Sequence, residues 1–224
     1  MTIESIESAT GLPPRISLNP STLLSPVPPV LVSCRGLPGG DKAKANLLTV
    51  AWAGTVNSEP PMVSIAVRKS RFSHAQIVET GEFVINLVDE ALLSSTDFCG
   101  VRSGADLDKF AECHLTPIPS EGLSHAPAVA ESPLSLACLV SQTIELPSHD
   151  LFLATIVSVS VRADLMDKQN RLRLDRAKLV GYVHGEYLAL GEKLGFFGYS
   201  VARPDVLKRR MPKSHGRRRT KGQK

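Results

Sequence analysis

Short apolar runs, each closed by glycine, proline or a polar cluster, succeed one another along most of this chain. Runs of that length bounded by turn residues read as strands. The first is VPPVLVSCR, residues 27–35, whose strand begins just after its prolines, where a missing N–H does least harm. GLPGGDKAKA follows as a loop. NLLTVAWAG (46–54) and MVSIAVR (62–68) then predict two strands separated by TVNSEPP. Ser73 and Gln76 stand at capping-box spacing, so HAQIVET (74–80) predicts a short helix that stops at Gly81. EFVINLV (82–88) is the next strand and ALLSSTDFCG (91–100) a second short helix or turn. Ser103 with Asp106 repeats the cap spacing ahead of a third short helix in LDKFAEC (107–113).

The second half is richer still in strands. LSLACLVSQTIEL (134–146) and LFLATIVSVSVR (151–162), separated by PSHD, predict an antiparallel pair with a short connection. MDKQNRLRLD (166–175) is an exposed turn, and KLVGYVHGEYLALG (178–191) reads as a short helix or strand. Six or seven strands with only short helices between them argue against βαβ units, whose crossovers need about a dozen residues or more. A closed or nearly closed antiparallel barrel removes the exposed edges that so many strands create. No G-x-G-x-x-G follows the first strand and there is no P-loop, which excludes a nicotinamide cofactor held by a Rossmann fingerprint.

Composition changes this picture only at the ends. At 224 residues, 42% hydrophobic and 21% charged, the chain can bury a substantial globular core. No run approaches the 18 or so apolar residues of a membrane span. The opening MTIESIESAT has no basic residue before Arg15 and so lacks the positive start of a secretory signal; the expectation is a cytoplasmic protein with no membrane contact. Residues 1–27 hold four prolines and little periodicity, and are expected to wrap over the surface or pair with an edge.

The net charge of +4 divides unevenly: Lys208 to Lys224 carries nine Lys or Arg and no acid, which leaves 1–207 at −5. With glycine, proline and no aromatic to pack, residues 201–224 are expected to be a disordered basic tail. A nucleic-acid contact through it would be electrostatic and salt-sensitive. The body, however, has no interleaved aromatic and basic platform for stacking bases. The four cysteines form no CxxC pair and have no metal-site spacing with histidine, so reduced thiols and no metal are expected. Cys99 stands apart, because it sits beside Gly100 where a cofactor or substrate could lie near it.

Between Asn46 and Phe110 the apolar runs are punctuated by Thr49, Arg68, Lys69, Arg71, Ser73, Ser103 and Lys109. A core does not need that inventory; an anionic cofactor with a flat apolar ring does. NLLTVAWAG, then PPMVSIAVRKSRFSHAQIVETGEFVINLV, then the CG…SG…DKF close resemble the flavin reductase-like, FMN-binding split-barrel family, in its flavoredoxin branch. The resemblance continues through SPLSLACLV and SHDLFLATIVSV to YLALGEKLGFFGYS. It divides the chain into an arm (1–24), a barrel (25–200) and the tail (201–224).

The resemblance implies a mainly β, Greek-key split barrel with short helices, a homodimer, and FMN held near the subunit interface. Some members reduce free flavin with a nicotinamide donor, NADH or NADPH; others keep FMN and pass electrons to a protein partner. Carried onto this sequence, Thr49, Val50, Ala51 and Trp52 lie along the ring and ribityl chain. Arg68, Lys69 and Ser70 hold the phosphate or pyrimidine end, His74 opens the following helix, and Asn86 braces the site. Ser103 and Lys109 approach the phosphate from the other subunit's side. His149 matches the histidine that meets an incoming nicotinamide, the one residue with a catalytic assignment. The family often places a glycine just before that histidine and a Gly-Glu after the next apolar run. Here those places read Pro147-Ser148-His149 and Ala154-Thr155, a departure that bears on the electron donor. A non-enzymatic split barrel that binds little or no FMN and serves as an interaction module is the competing reading.

Overall fold

The computed structural model describes residues 5–6 and 13–211. Its main sheet has seven strands: β1 (Val30–Arg35), β2 (Ala45–Val50), β3 (Ala53–Ser58), β4 (Pro61–Val67), β5 (Glu82–Leu87), β6 (Leu134–Glu145) and β7 (Asp150–Val161). Three helices pack with it: α1 (Phe72–Thr80), α2 (Leu93–Val101) and α3 (Lys109–Glu112). The strand order is β2-β1-β5-β6-β7-β4-β3, antiparallel throughout. The two end strands, β2 and β3, are separated by only Ala51 and Trp52. The sheet therefore curls until its ends meet at that link, closed by the chain rather than by a ladder.

Residues of six strands fill the inside: Val30, Val32, Leu48, Val63, Ile65, Phe83, Ile85, Cys138 and Phe152 are all buried in one cluster, which Ile77 of α1 joins. Each such aliphatic or aromatic side chain contributes about 1.5–3 kcal/mol relative to an exposed one. The outer face of β1 and β2 carries a second cluster, in which Leu31 and Leu47 meet Leu92 and Cys99 of the α2 region and Phe110 of α3. That covering explains why VLVSC is apolar without alternation: β1 is buried on both faces.

NLLTVAWAG is two strands, not one. A continuous period-two strand would turn Trp52 inward with Leu48 and Val50. Instead Ala53 packs toward the inner cluster, so the inward positions shift by one residue at the break. Trp52 is left 46% exposed, and its carbonyl accepts the N–H of Ala66 at 3.0 Å. The closing geometry of the sheet imposes this shift.

Both expected capping boxes are absent. Ser73 lies inside α1, whose N-cap position is Arg71 with no side-chain cap bond, and Gln76 donates instead to the carbonyls of Lys42 and Lys44. Asp108, not Ser103, caps α3 by accepting from Ala111 N–H. The stop at Gly81 is as expected, with φ +69° and its N–H bonded to Ile77.

KLVGYVHGEYLALG forms a hairpin, Val180–Val183 with Glu186–Ala189. Val27, just before β1, meets this hairpin by exchanging two backbone bonds with Tyr182. Contacts divide the chain after Ala189. In the following unit Pro204–Arg210 is helical, which corrects the disordered tail over that stretch: the Arg210 guanidinium lies 4.0 Å from the centre of the Phe196 ring, an aromatic partner supplied from just upstream. The rest of the basic tail, 212–224, lies outside the described residues. No helix among the described residues is long and apolar enough to cross a membrane.

Candidate functional site

Strand β4 ends at Val67, and Arg68 to Arg71 turn tightly into α1, with Arg71 N–H bonded to Arg68 C=O at 3.0 Å. This turn faces the segment after α2. Between them lies a cavity of about 340 Å³ lined by Arg68, Ser70, Arg71, Arg102, Ser103 and Lys109, with Asn46 and Gly104 at its base. None of the four cations has a carboxylate within 4 Å among the described residues.

Lys109 is 2% exposed, and its ammonium donates at 2.8 Å to both Leu47 C=O and Cys99 C=O. Burial holds it below the ordinary lysine value, and the Arg71 charge pushes the same way. Two of its three N–H donors are spent, which leaves one for the cavity. Asn46 donates to Ser73 Oγ at 2.7 Å, but its buried Oδ1 has no partner. Gly104 comes so close that a Cβ there would sit 2.1 Å from that oxygen.

A second hollow of about 150 Å³ continues from the first, sharing Leu48, Arg68 and Arg71. Its walls are the backbone from Thr49 to Trp52, together with Ala66 and His149. Because β2 pairs only with β1, the polar backbone groups on its other edge are not used by the sheet. His149 reaches this place through register: Asp150 opposes Val67, so His149 lands beside Arg68 at the tip of the β6–β7 hairpin. Its ring lies 4.7 Å from that of Trp52, and Nδ1 is 2.8 Å from Ser148 Oγ. Burial, and then the Arg68 charge, lower its pKa. Both causes favour the neutral imidazole. Thr49 contacts the groove, while its hydroxyl donates to Thr96 C=O.

Of the residues singled out from sequence, Thr49, Val50, Ala51, Trp52, Arg68, Ser70, Ser103, Lys109 and His149 converge on this pair of hollows. Three do not. Lys69 turns away to Glu145 at 2.9 Å and Asp150 at 3.3 Å. His74 Nε2 is 2.7 Å from Asp150 Oδ2 rather than in the groove. Asn86 is fully buried and its amide is spent on donating to Leu31 C=O and Ser33 Oγ and accepting from Val129 N–H and Ser135 Oγ, so it bonds strands instead of touching a ligand.

Cys99 is likewise sealed in the core, 3.8 Å from Cys113 Sγ, and burial pushes its thiol up to about 12. Ser103 and Lys109 line one cavity with Arg68 and Ser70 of the same chain. Asn46 and Arg102 were not anticipated. Arg102 had a signal, its place beside Ser103; Asn46, at the head of an apolar strand, had none.

A curled antiparallel sheet, split at β2–β3, with a groove lined by four cations that have no carboxylate within 4 Å among the described residues, defines a split-barrel protein. The chain belongs to the flavin reductase like domain family, whose sequence model matches residues 23–191. Among solved structures it is similar to the flavoredoxin of Desulfovibrio vulgaris (Miyazaki F), at 31% identity over 80% of this chain and 95% of that one, TM-score 0.73. The flavoredoxin of Methanosarcina acetivorans is 27% identical over 84% of this chain and 99% of that one, TM-score 0.75. An uncharacterized protein of Archaeoglobus fulgidus is 31% identical over 117 residues, 52% of this chain and 66% of that protein.

Proposed function

We propose that the chain is an FMN-dependent oxidoreductase that retains its flavin and works as a flavoredoxin-like electron carrier or as an NADH- or NADPH-driven flavin reductase. The observation that carries this is the continuity of a four-cation cavity with a hollow walled by strand backbone, Trp52 and His149. FMN is a dianionic phosphate on a polar chain ending in a flat ring, and the residues fit each part. Arg68, Arg71 and Arg102 offer planar forks and Lys109 a point charge for the phosphate, with the Ser70 and Ser103 hydroxyls completing the shell. The unpaired Asn46 Oδ1 is an acceptor for a hydroxyl of the connecting chain.

At the far end, backbone groups from Leu48 to Ala51 answer the polar edge of the ring and Trp52 its apolar surface. The bound flavin supplies the electron transfer, and the protein positions it and adjusts its potential. Burial and the Arg68 charge disfavour a protonated His149 at the approach to the ring, while Arg68 supplies positive charge beside it. The Pro147-Ser148 sequence before His149 favours the carrier over the reductase.

Purified protein is expected to be yellow and to release FMN on denaturation. Colourless protein without saturable FMN binding would instead support the interaction-module reading. Steady-state oxidation of NADH or NADPH with excess free flavin identifies the reductase; retained FMN with slow turnover identifies the carrier.

A further inference from the structure

Away from the arginine groove, a cavity of about 260 Å³ lies between the end of β1 and the segment 117–127. Ile118, Pro119, Leu123 and Pro127 form its apolar walls, and Arg35 and Ser120 are among its polar groups. The walls are held in place from behind. The Glu82 carboxylate accepts the N–H groups of Ser124, His125 and Ala126 at 2.9, 2.6 and 3.0 Å. Ser33 Oγ donates to Pro127 C=O at 2.5 Å, and Ser158 Oγ to Glu121 C=O at 2.6 Å. Residues 117–118 pair with 128–129.

Against this fixed frame two groups are left unanswered. Among the described residues, four shielded side-chain atoms lack a hydrogen-bond partner, and two of them, Arg35 Nε and Ser120 Oγ, belong to residues that line this one cavity. Shielded polar groups are normally paired, and exceptions call for an explanation. Arg35 also has no carboxylate within 4 Å among the described residues. Glu82 is turned instead to the three N–H groups.

We propose that this cavity binds a small carboxylic acid with an apolar body. The carboxylate bonds to the Arg35 guanidinium and the Ser120 hydroxyl, and the body lies against Ile118, Pro119, Leu123 and Pro127. One guanidinium and one hydroxyl match the single charge and planar fork of a carboxylate. A phosphate dianion needs a richer set of cations, such as the arginine groove provides. The volume lies just below the range of about 300–1,000 Å³ for drug-sized ligands, which points to a single-ring acid or one of similar bulk.

The test titrates benzoate and its neutral isostere benzamide into the full chain by calorimetry, once saturated with FMN and once stripped of it. Saturable benzoate binding, one per chain and unchanged by FMN, is expected, with benzamide weaker by about tenfold or more, the size of a lost charge-assisted bond. Arg35→Met should weaken benzoate by a similar factor and Ser120→Ala by less. Equal binding of the two probes, no saturation, or competition between benzoate and FMN overturns the proposal. Should the variants fail to fold, amide shifts in the wild-type chain decide: benzoate must move signals at Arg35 and 117–127, and shifts confined elsewhere defeat it. Because the stripped protein is titrated too, a failure of the FMN reading leaves this result intact.

Discussion

Each cation of the groove is placed differently, and the differences predict separable effects. Arg71 and Arg102 are exposed side chains without ion pairs among the described residues, so replacing either by alanine should leave folding unchanged. FMN affinity should fall by about 1.5–3 kcal/mol per direct bond lost. Riboflavin, which lacks the phosphate, should bind as before, and titration of both ligands checks the distinction. Lys109 is different because its ammonium already serves two buried carbonyls. Lys109→Ala strands those acceptors and should lower unfolding free energy by about 1–3 kcal/mol in addition to weakening FMN, as urea melts would show. His149 supplies a pH test. Its pKa is depressed first by burial and then by Arg68, so its protonated form is disfavoured. Arg68→Ala removes the second cause and should move the NMR titration of His149 upward. An unmoved titration would mean that Arg68 does not reach the ring end of the groove.

Elements carry the site through two close fits. One is the approach of Gly104 to Asn46 across the cavity base. Gly104→Ala puts a methyl group where Asn46 Oδ1 stands, forcing α3 and its preceding loop away from β2. The expected cost is about 1–3 kcal/mol of stability with a marked loss of FMN binding, and thermal melts together with flavin titration read both. The other fit is the β2–β3 break, which turns Trp52 into the groove. The strands were legible in the sequence because apolar runs such as MVSIAVR and EFVINLV are short and clearly bounded. The break was not, since NLLTVAWAG is apolar across it and only the closing of the sheet shifts the inward positions. The helix caps failed for a related reason: Ser73 and Gln76 have cap spacing, but burial recruits them to Asn46, Lys42 and Lys44. The family resemblance implies that Asn86, a polar side chain in an apolar strand, braces the site. The same observation fits a fully satisfied buried amide, and local sequence cannot separate the two.

Across the whole molecule, charge is segregated: residues 1–207 sum to −5 and the last seventeen to +9. The groove is a local exception, four cations drawn together on an acidic body. Removing 212–224 should leave FMN affinity unchanged at physiological salt, because the groove's own four cations supply the charge that answers a dianion. Assembly follows the same logic. An isologous dimer with two sites remains the expectation from the family resemblance. Yet Arg68, Ser70 and Arg71 face Arg102, Ser103 and Lys109 within one chain, so the four cations come together without a second copy. Trp52 and the open edge of β2, by contrast, are exposed enough for a partner to cover. Dilution through any dimer–monomer transition, followed by light scattering and flavin titration together, should weaken FMN and riboflavin in parallel and preserve the ratio between them. A selectivity for the phosphate that disappears with the dimer would show that a second chain supplies charge to the site, and that the groove of a single chain is only part of it.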